Sequence, residues 1–106
     1  MTRKDFLALT ITRLKAQTDS GLYPSCYLRA PNGYCCAVGV HTPEYNGNGN
    51  FDFWARAISN EHGVSAYFVK SIAAAHDDYV CANPRVRPEE YNWDTAFETI
   101  DCGAAW

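Results

Sequence analysis

No stretch of the chain carries the unbroken apolar core of a signal peptide or the length of a membrane span; in TRKDFLALTITRLKAQ the apolar residues are interrupted by Arg13 and Lys15. This absence leads us to expect a cytoplasmic protein with no membrane partner. Nor is there a basic stripe interleaved with aromatics, which speaks against direct nucleic-acid binding. Paired metal-ligand spacings are missing as well, since neither C-x-x-C nor H-x-x-x-H occurs. Cys35, Cys36 and His41, completed by Cys81 or His62, could in principle hold zinc, but adjacent cysteines coordinate one ion awkwardly, so no metal and no cofactor is expected. The five cysteines, Cys26, Cys35, Cys36, Cys81 and Cys102, cannot all pair within one chain, and without secretion their thiols are expected to stay reduced. Internal repeats and low-complexity tracts are absent too.

What the chain does have is apolar and aromatic mass. Of its 106 residues 47% are hydrophobic and 14% aromatic, enough to offset the ordering entropy of a single globular domain, 1–106, around one modest core. The net charge of −3 is unevenly distributed. Up to residue 60, Arg3, Lys4, Arg13, Lys15, Arg29 and Arg56 outnumber Asp5, Asp19, Glu44 and Asp52. Beyond it, Glu61, Asp77, Asp78, Glu89, Glu90, Asp94, Glu98 and Asp101 face only Lys70, Arg85 and Arg87.

The pattern of apolar residues predicts a mainly α protein (small α+β): about four helices packed around one core, with one short β-hairpin. Thr2 with Asp5 three residues later forms an acidic capping box. Phe6, Leu7, Ile11 and Leu14 then share a helix face, and the helix stops near Asp19-Ser20-Gly21. SCYLRAPNGYCCAV places β-favouring residues on both sides of Pro31-Asn32-Gly33, the pattern of a hairpin. TPEYNGNGN, Thr42 to Asn50, reads as a surface loop. In FDFWARAISNEHG, an acidic cap at Asp52 precedes Trp54, Ala55, Ile58 and His62 at helical spacing, with Gly63 as the left-handed stop. Ser65 caps a helix with Phe68, Ile72, Ala75, His76 and Tyr79 inward and with Asp77 and Asp78 at or just past its end. YVCANPRVRPEEY reads as a loop. The last helix starts at Asn92 or a turn earlier, turns Trp93, Ala96, Phe97 and Ile100 inward, and ends at Gly103.

The chemistry-bearing stretch is NGYCCAVGVHTPEY, Asn32 to Tyr45, and two readings of it stay open. At the start of a helix Cys36 would become a thiolate nucleophile, with His76 or His41 as base and Asp77 or Asp78 orienting the imidazole, giving a cysteine-dependent hydrolase or transferase. Alternatively Cys36, Ala37 and Gly39 are small residues that let the segment pack closely, with Cys36 a buried hydrophobe. His76, on an apolar stripe, reads more simply as a core histidine hydrogen-bonded to a carbonyl or carboxylate than as a base.

The strongest candidate for function is a surface. Asp94, Glu98 and Asp101 recur at the four-then-three spacing of one helix face, opposite Trp93, Phe97 and Ile100, and like charges at that spacing repel. Glu89, Glu90, Asp77 and Asp78 extend the same field, and Tyr91, Tyr79 and Trp106 could act as aromatic anchors. The expectation is non-catalytic docking onto a basic surface; an ordinary solvated face is the simpler alternative. Oligomeric state is not readable from these features.

CAVGV, Cys36 to Val40, resembles the W/Y-C-A/C-L-G-A/V-L signature of small bacteriophage and actinobacterial proteins of unassigned function, with AAAHDD, Ala73 to Asp78, at the position of that group's Asn-Asp helix end and WDTAFETID, Trp93 to Asp101, at its final helix. The resemblance implies a bacteriophage or mobile-element accessory protein in the bacterial host cell, acting on a host protein with a basic surface and, as an anti-CRISPR-like inhibitor would, against a defence system.

Overall fold

The computed structural model describes residues 1–42 and 50–102. Among these the chain forms four α-helices, α1 (Arg3–Asp19), α2 (Phe51–His62), α3 (Ala66–Ala82) and α4 (Trp93–Ala96), and two 3-10 turns, Gly39–His41 and Pro88–Glu90. No described helix is long and apolar enough to cross a membrane. The expected loop at Thr42 to Asn50 falls mostly on 43–49, and Gly103 and Trp106 on 103–106, all outside the described residues.

α1 starts as the capping box requires, with Thr2 Oγ1 accepting the Asp5 N–H at 3.1 Å. Its fully buried face is Phe6, Thr10, Leu14 and Thr18, one residue per turn, while Leu7 and Ile11 pack on its flanks half-buried. The two threonines are the unexpected members. Each hydroxyl donates back along its own helix, Thr10 to the Phe6 carbonyl at 2.9 Å and Thr18 to the Lys15 carbonyl at 3.2 Å, so neither proton is left without an acceptor in the core.

The hairpin is a correction: no strand occurs among the described residues. Its turn does form. Asn32 Oδ1 accepts the Tyr34 N–H at 2.9 Å, the Ala30 N–H reaches the Tyr34 carbonyl at 2.7 Å, and Gly33 supplies the left-handed φ of +92°. The ladder fails one residue later because Gln17 of α1 takes both backbone groups of Cys35, donating to its carbonyl and accepting from its N–H, each at 2.8 Å. The chain then coils into the 3-10 turn. Gly39 there lies so close to the Leu28 backbone that a Cβ would stand 1.9 Å from the Leu28 carbonyl oxygen. The small residues of this stretch therefore do permit close approach, against a loop backbone rather than a helix.

α2 is capped by Asn50, which accepts the Phe53 N–H at 2.9 Å, not by Asp52 as its sequence suggests. Asp52 instead sits in the first turn and pairs with Arg56 of its own helix and with Lys70 of α3. Gly63 closes α2 at φ +69°, and Ser65 caps α3 two residues on by accepting the Phe68 N–H at 3.1 Å. α3 buries Phe68, Val69, Ile72, Ala73, His76 and Val80 and continues to Ala82, a turn beyond the end expected near Asp77 and Asp78; the stretch from Tyr79 is thus helix before it becomes loop. α4 is a single turn capped by Asn92 and held by the burial of Trp93, Ala96 and Phe97, after which the backbone tightens into turns instead of propagating the helix. One buried cluster gathers Phe6 and Leu14 of α1, Tyr34 and Cys36 to Val38, Ala55 and Ile58 of α2, the inner face of α3, and Trp93 and Phe97.

Candidate functional site

Two buried histidines organise the polar interior. His76 is fully buried, with Nε2 2.7 Å from the Tyr34 hydroxyl and Nδ1 2.8 Å from Asp77 Oδ1. A carboxylate accepts, so Nδ1 carries the proton, and Nε2 accepts from the phenol. The imidazole also lies between two rings, parallel to Tyr34 at 5.9 Å and to Trp93 at 5.3 Å, and Tyr91 continues the stack beyond Trp93 at 5.4 Å. Trp93 Nε1–H donates to Thr18 Oγ1 at 3.2 Å, which ties the stack to α1. Burial, followed by the charges of Cys36, Tyr91 and Asp77, pushes the Tyr34 phenol far above its ordinary range, so it remains a protonated donor.

His41 sits against the middle of α1. Nε2 lies 2.8 Å from Thr10 Oγ1 and Nδ1 lies 2.7 Å from an Arg13 guanidinium nitrogen. Thr10 spends its only proton on the Phe6 carbonyl, and a guanidinium can only donate. His41 must therefore carry its proton on Nε2 and accept at Nδ1. Burial first, then Arg13 and His62, lower its pKa from 6.5 to about 3, as expected of an imidazole held neutral beside a cation. A cleft of about 420 Å³ opens beside it, lined by Arg13, Val40, His41, Glu61 and His62.

The residues of the nucleophilic reading do not assemble into a relay. His76 and Asp77 do meet, but the imidazole nitrogen that would face a thiol is engaged by Tyr34. His41 has both nitrogens engaged. Asp78 is exposed on α3, one residue beyond the carboxylate that holds His76. Cys36 is buried at 3% exposure, and desolvation raises its pKa despite hydrogen bonds from the Gly39 and Val38 amides, the opposite of an activated thiolate. No group of three or more His, Cys, Asp or Glu residues among the described residues is placed to hold a metal ion.

The acidic residues divide into three places. α4 ends at Ala96, so Asp94, Glu98 and Asp101, all exposed, do not form the expected helical ridge. Asp101 lines a separate groove with Arg3, Tyr67, Phe68, Ser71, Thr99 and Ile100. Asp77 is held at the His76 network, 42% exposed. Glu89, Glu90, Tyr91 and Asp94, however, converge on one groove of about 350 Å³ against α1, completed by Ile11, Lys15, Asn92 and Trp93. The 3-10 turn Pro88–Glu90 and the Asn92 cap place these carboxylates along one edge, and the half-buried Tyr91 is fixed there by its hydroxyl, which donates to the Asn83 carbonyl at 2.8 Å. Glu90 faces Arg87 at 3.8 Å and Lys15 faces Asp19 at 4.0 Å, whereas Glu89 and Asp94 have no ion-pair partner among the described residues.

Sequence reasoning missed Tyr34, Thr10, Thr18, Arg13 and Lys15. The threonines alone had a readable signal, their four-residue spacing in register with Phe6 and Leu14. No protein-family model matches the chain, and neither the curated proteins nor the solved structures hold a significant match.

Proposed function

We propose that the protein is a non-catalytic binding module that docks through its acidic edge onto a basic site of a host protein. The observation that carries this reading is the convergence of Glu89, Glu90 and Asp94 on one groove bordered by Tyr91 and Trp93. A lysine or arginine side chain from a partner would meet the carboxylates of the rim, whose charge-assisted hydrogen bonds recognise cations. The reading is supported by the interior as well, since His41, His76 and Cys36 are engaged in packing and hydrogen bonds. Asp77, Asp78, Glu98 and Asp101 act in this reading as a surrounding field that speeds encounter rather than as contacts. The likeness of CAVGV to bacteriophage proteins is what directs the search to a bacterial host protein, a defence complex first.

The test is affinity capture from bacterial lysate with the wild-type chain and with the variant Glu89→Gln/Glu90→Gln/Asp94→Asn, followed by association kinetics with the captured partner at several salt concentrations. The proposal expects the variant to associate more slowly and with a flatter salt dependence, because rim charges act mainly on encounter. Equal rates for the two chains would refute it.

A further inference from the structure

On the flank of α1 turned away from the acidic groove, two clefts meet at Arg13. The groove takes Ile11 and Lys15 from the helix, and Arg13, two positions from each, points to nearly the opposite side. The cleft of about 420 Å³ beside His41 and a second of about 210 Å³, walled by Gln17, Arg29 and Cys35, share Arg13 and Val40. Arg13 is half-buried and oriented: one guanidinium nitrogen lies 2.7 Å from His41 Nδ1, and His41 is anchored on Thr10 Oγ1 at 2.8 Å. No carboxylate among the described residues forms an ion pair with Arg13. A guanidinium carries several N–H donors, so the contact with a neutral imidazole positions Arg13 without neutralising it and leaves donors for the clefts.

The smaller cleft has no acidic residue in its wall and sets Arg29 beside Arg13. That wall is fixed to α1, because the Gln17 amide donates to the Cys35 carbonyl and accepts the Cys35 N–H, each at 2.8 Å. One carboxylate is satisfied by a single guanidinium fork, whereas two guanidinium groups match the double charge and the several terminal oxygens of a phosphate monoester. The larger cleft holds the Glu61 carboxylate, which repels a second anionic group and accepts hydrogen bonds from hydroxyls. His62 lines the same space, its ring 5.6 Å from that of His41. We infer that Arg13 and Arg29 bind the phosphate of a small hydroxylated phosphate monoester, a sugar phosphate or nucleoside monophosphate, whose organic part lies in the cleft of Glu61 and His62. The site does not depend on the acidic edge, which would repel the same ligand.

The test titrates the isotope-labelled full-length protein at low salt with adenosine monophosphate, ribose 5-phosphate, inorganic phosphate and ribose in turn, following backbone amide NMR shifts. We expect saturable shifts centred on Gln17, Arg29, Cys35 and Val40 and reaching His62 with at least one of the two esters, roughly tenfold weaker binding of inorganic phosphate, and none of ribose. The tighter ester decides between a nucleotide and a sugar phosphate. Arg29→Gln changes an exposed position outside the His41 contact and should weaken ester binding roughly tenfold. Arg13→Lys keeps a charge and a donor for His41 but loses the planar fork, and should weaken it by roughly the same factor. No saturable shift with either ester, equal affinity for inorganic phosphate and the esters, or undiminished binding in either variant would each overturn the proposal.

Discussion

His41 and His76 are both buried and both anchored through each ring nitrogen, yet one faces a guanidinium and the other a carboxylate. That single difference fixes opposite tautomers. His41 carries its proton on Nε2 toward Thr10, and His76 carries it on Nδ1 toward Asp77. Around His41 a second cation would be forced beside Arg13, so the ring is kept neutral. Around His76 the imidazole instead fills the space between Tyr34 and Trp93 and acts as one layer of an aromatic stack. Two places along α1 therefore use the same side chain for different purposes: a charge-sensitive joint at Thr10, mid-helix, and a packing joint near Thr18, at its C-terminal end.

The largest effect should come from the packing joint. His76→Ala removes a ring from a fully buried stack and leaves the Tyr34 hydroxyl and Asp77 without their partner, so we expect a loss of about 4 kcal/mol in urea unfolding. A loss below about 1 kcal/mol would mean that the stack is not stabilising.

The charge-sensitive joint should appear in the pH dependence. The folded pKa of His41 is about 3 against an ordinary 6.5, so between these values the unfolded chain binds the extra proton and the native chain does not. The contribution is complete above about pH 6.5 and is lost as the pH falls, at about 1.4 kcal/mol per unit, amounting to about 3 kcal/mol by pH 4. His41→Gln should remove that part of the slope, and denaturant midpoints from pH 7 to 4 measure it. An unchanged slope in His41→Gln would place the acid sensitivity elsewhere.

A smaller effect is expected from the α1 side of each joint. Thr10→Val strands the His41 Nε2–H and Thr18→Val strands the Trp93 Nε1–H, each costing about 2 kcal/mol, with the Trp93 bond the longer of the two at 3.2 Å. Thr18→Val should also shift the tryptophan fluorescence, and Thr10→Val should not.

These joints also mark where sequence reasoning succeeds and where it stops. Thr2, Ser65, Asn92 and Gly63 act on backbone groups within a few residues, so their caps and stops could be read directly. Tyr34 and His76 are 42 positions apart, and Thr18 and Trp93 are 75 apart; nothing local couples them. The hairpin was misread because Asn32-Gly33 does make its turn while the Gln17 side chain, from a distant helix, takes the backbone groups a ladder would need. The acidic ridge was misread because helical spacing at Asp94, Glu98 and Asp101 does not carry α4 beyond Ala96, although the neighbouring Glu89, Glu90 and Tyr91 do join Asp94 in one groove.

The smallest effect on stability belongs to that groove. Glu89→Gln/Glu90→Gln/Asp94→Asn should stay within about 0.5 kcal/mol of the wild type, since exposed charges contribute little to folding. The groove also provides the most direct test of the account, in which the interior joints are structural and the acidic edge binds. Backbone amide and indole NMR signals would be followed while a short lysine- and arginine-rich peptide is titrated in at low salt. The account predicts shifts centred on Glu89 to Asp94 and on the Trp93 indole, fading as salt is raised and absent in the triple variant. Shifts centred instead on the cleft of Arg13, His41 and His62, or unaffected by the triple substitution, would contradict it.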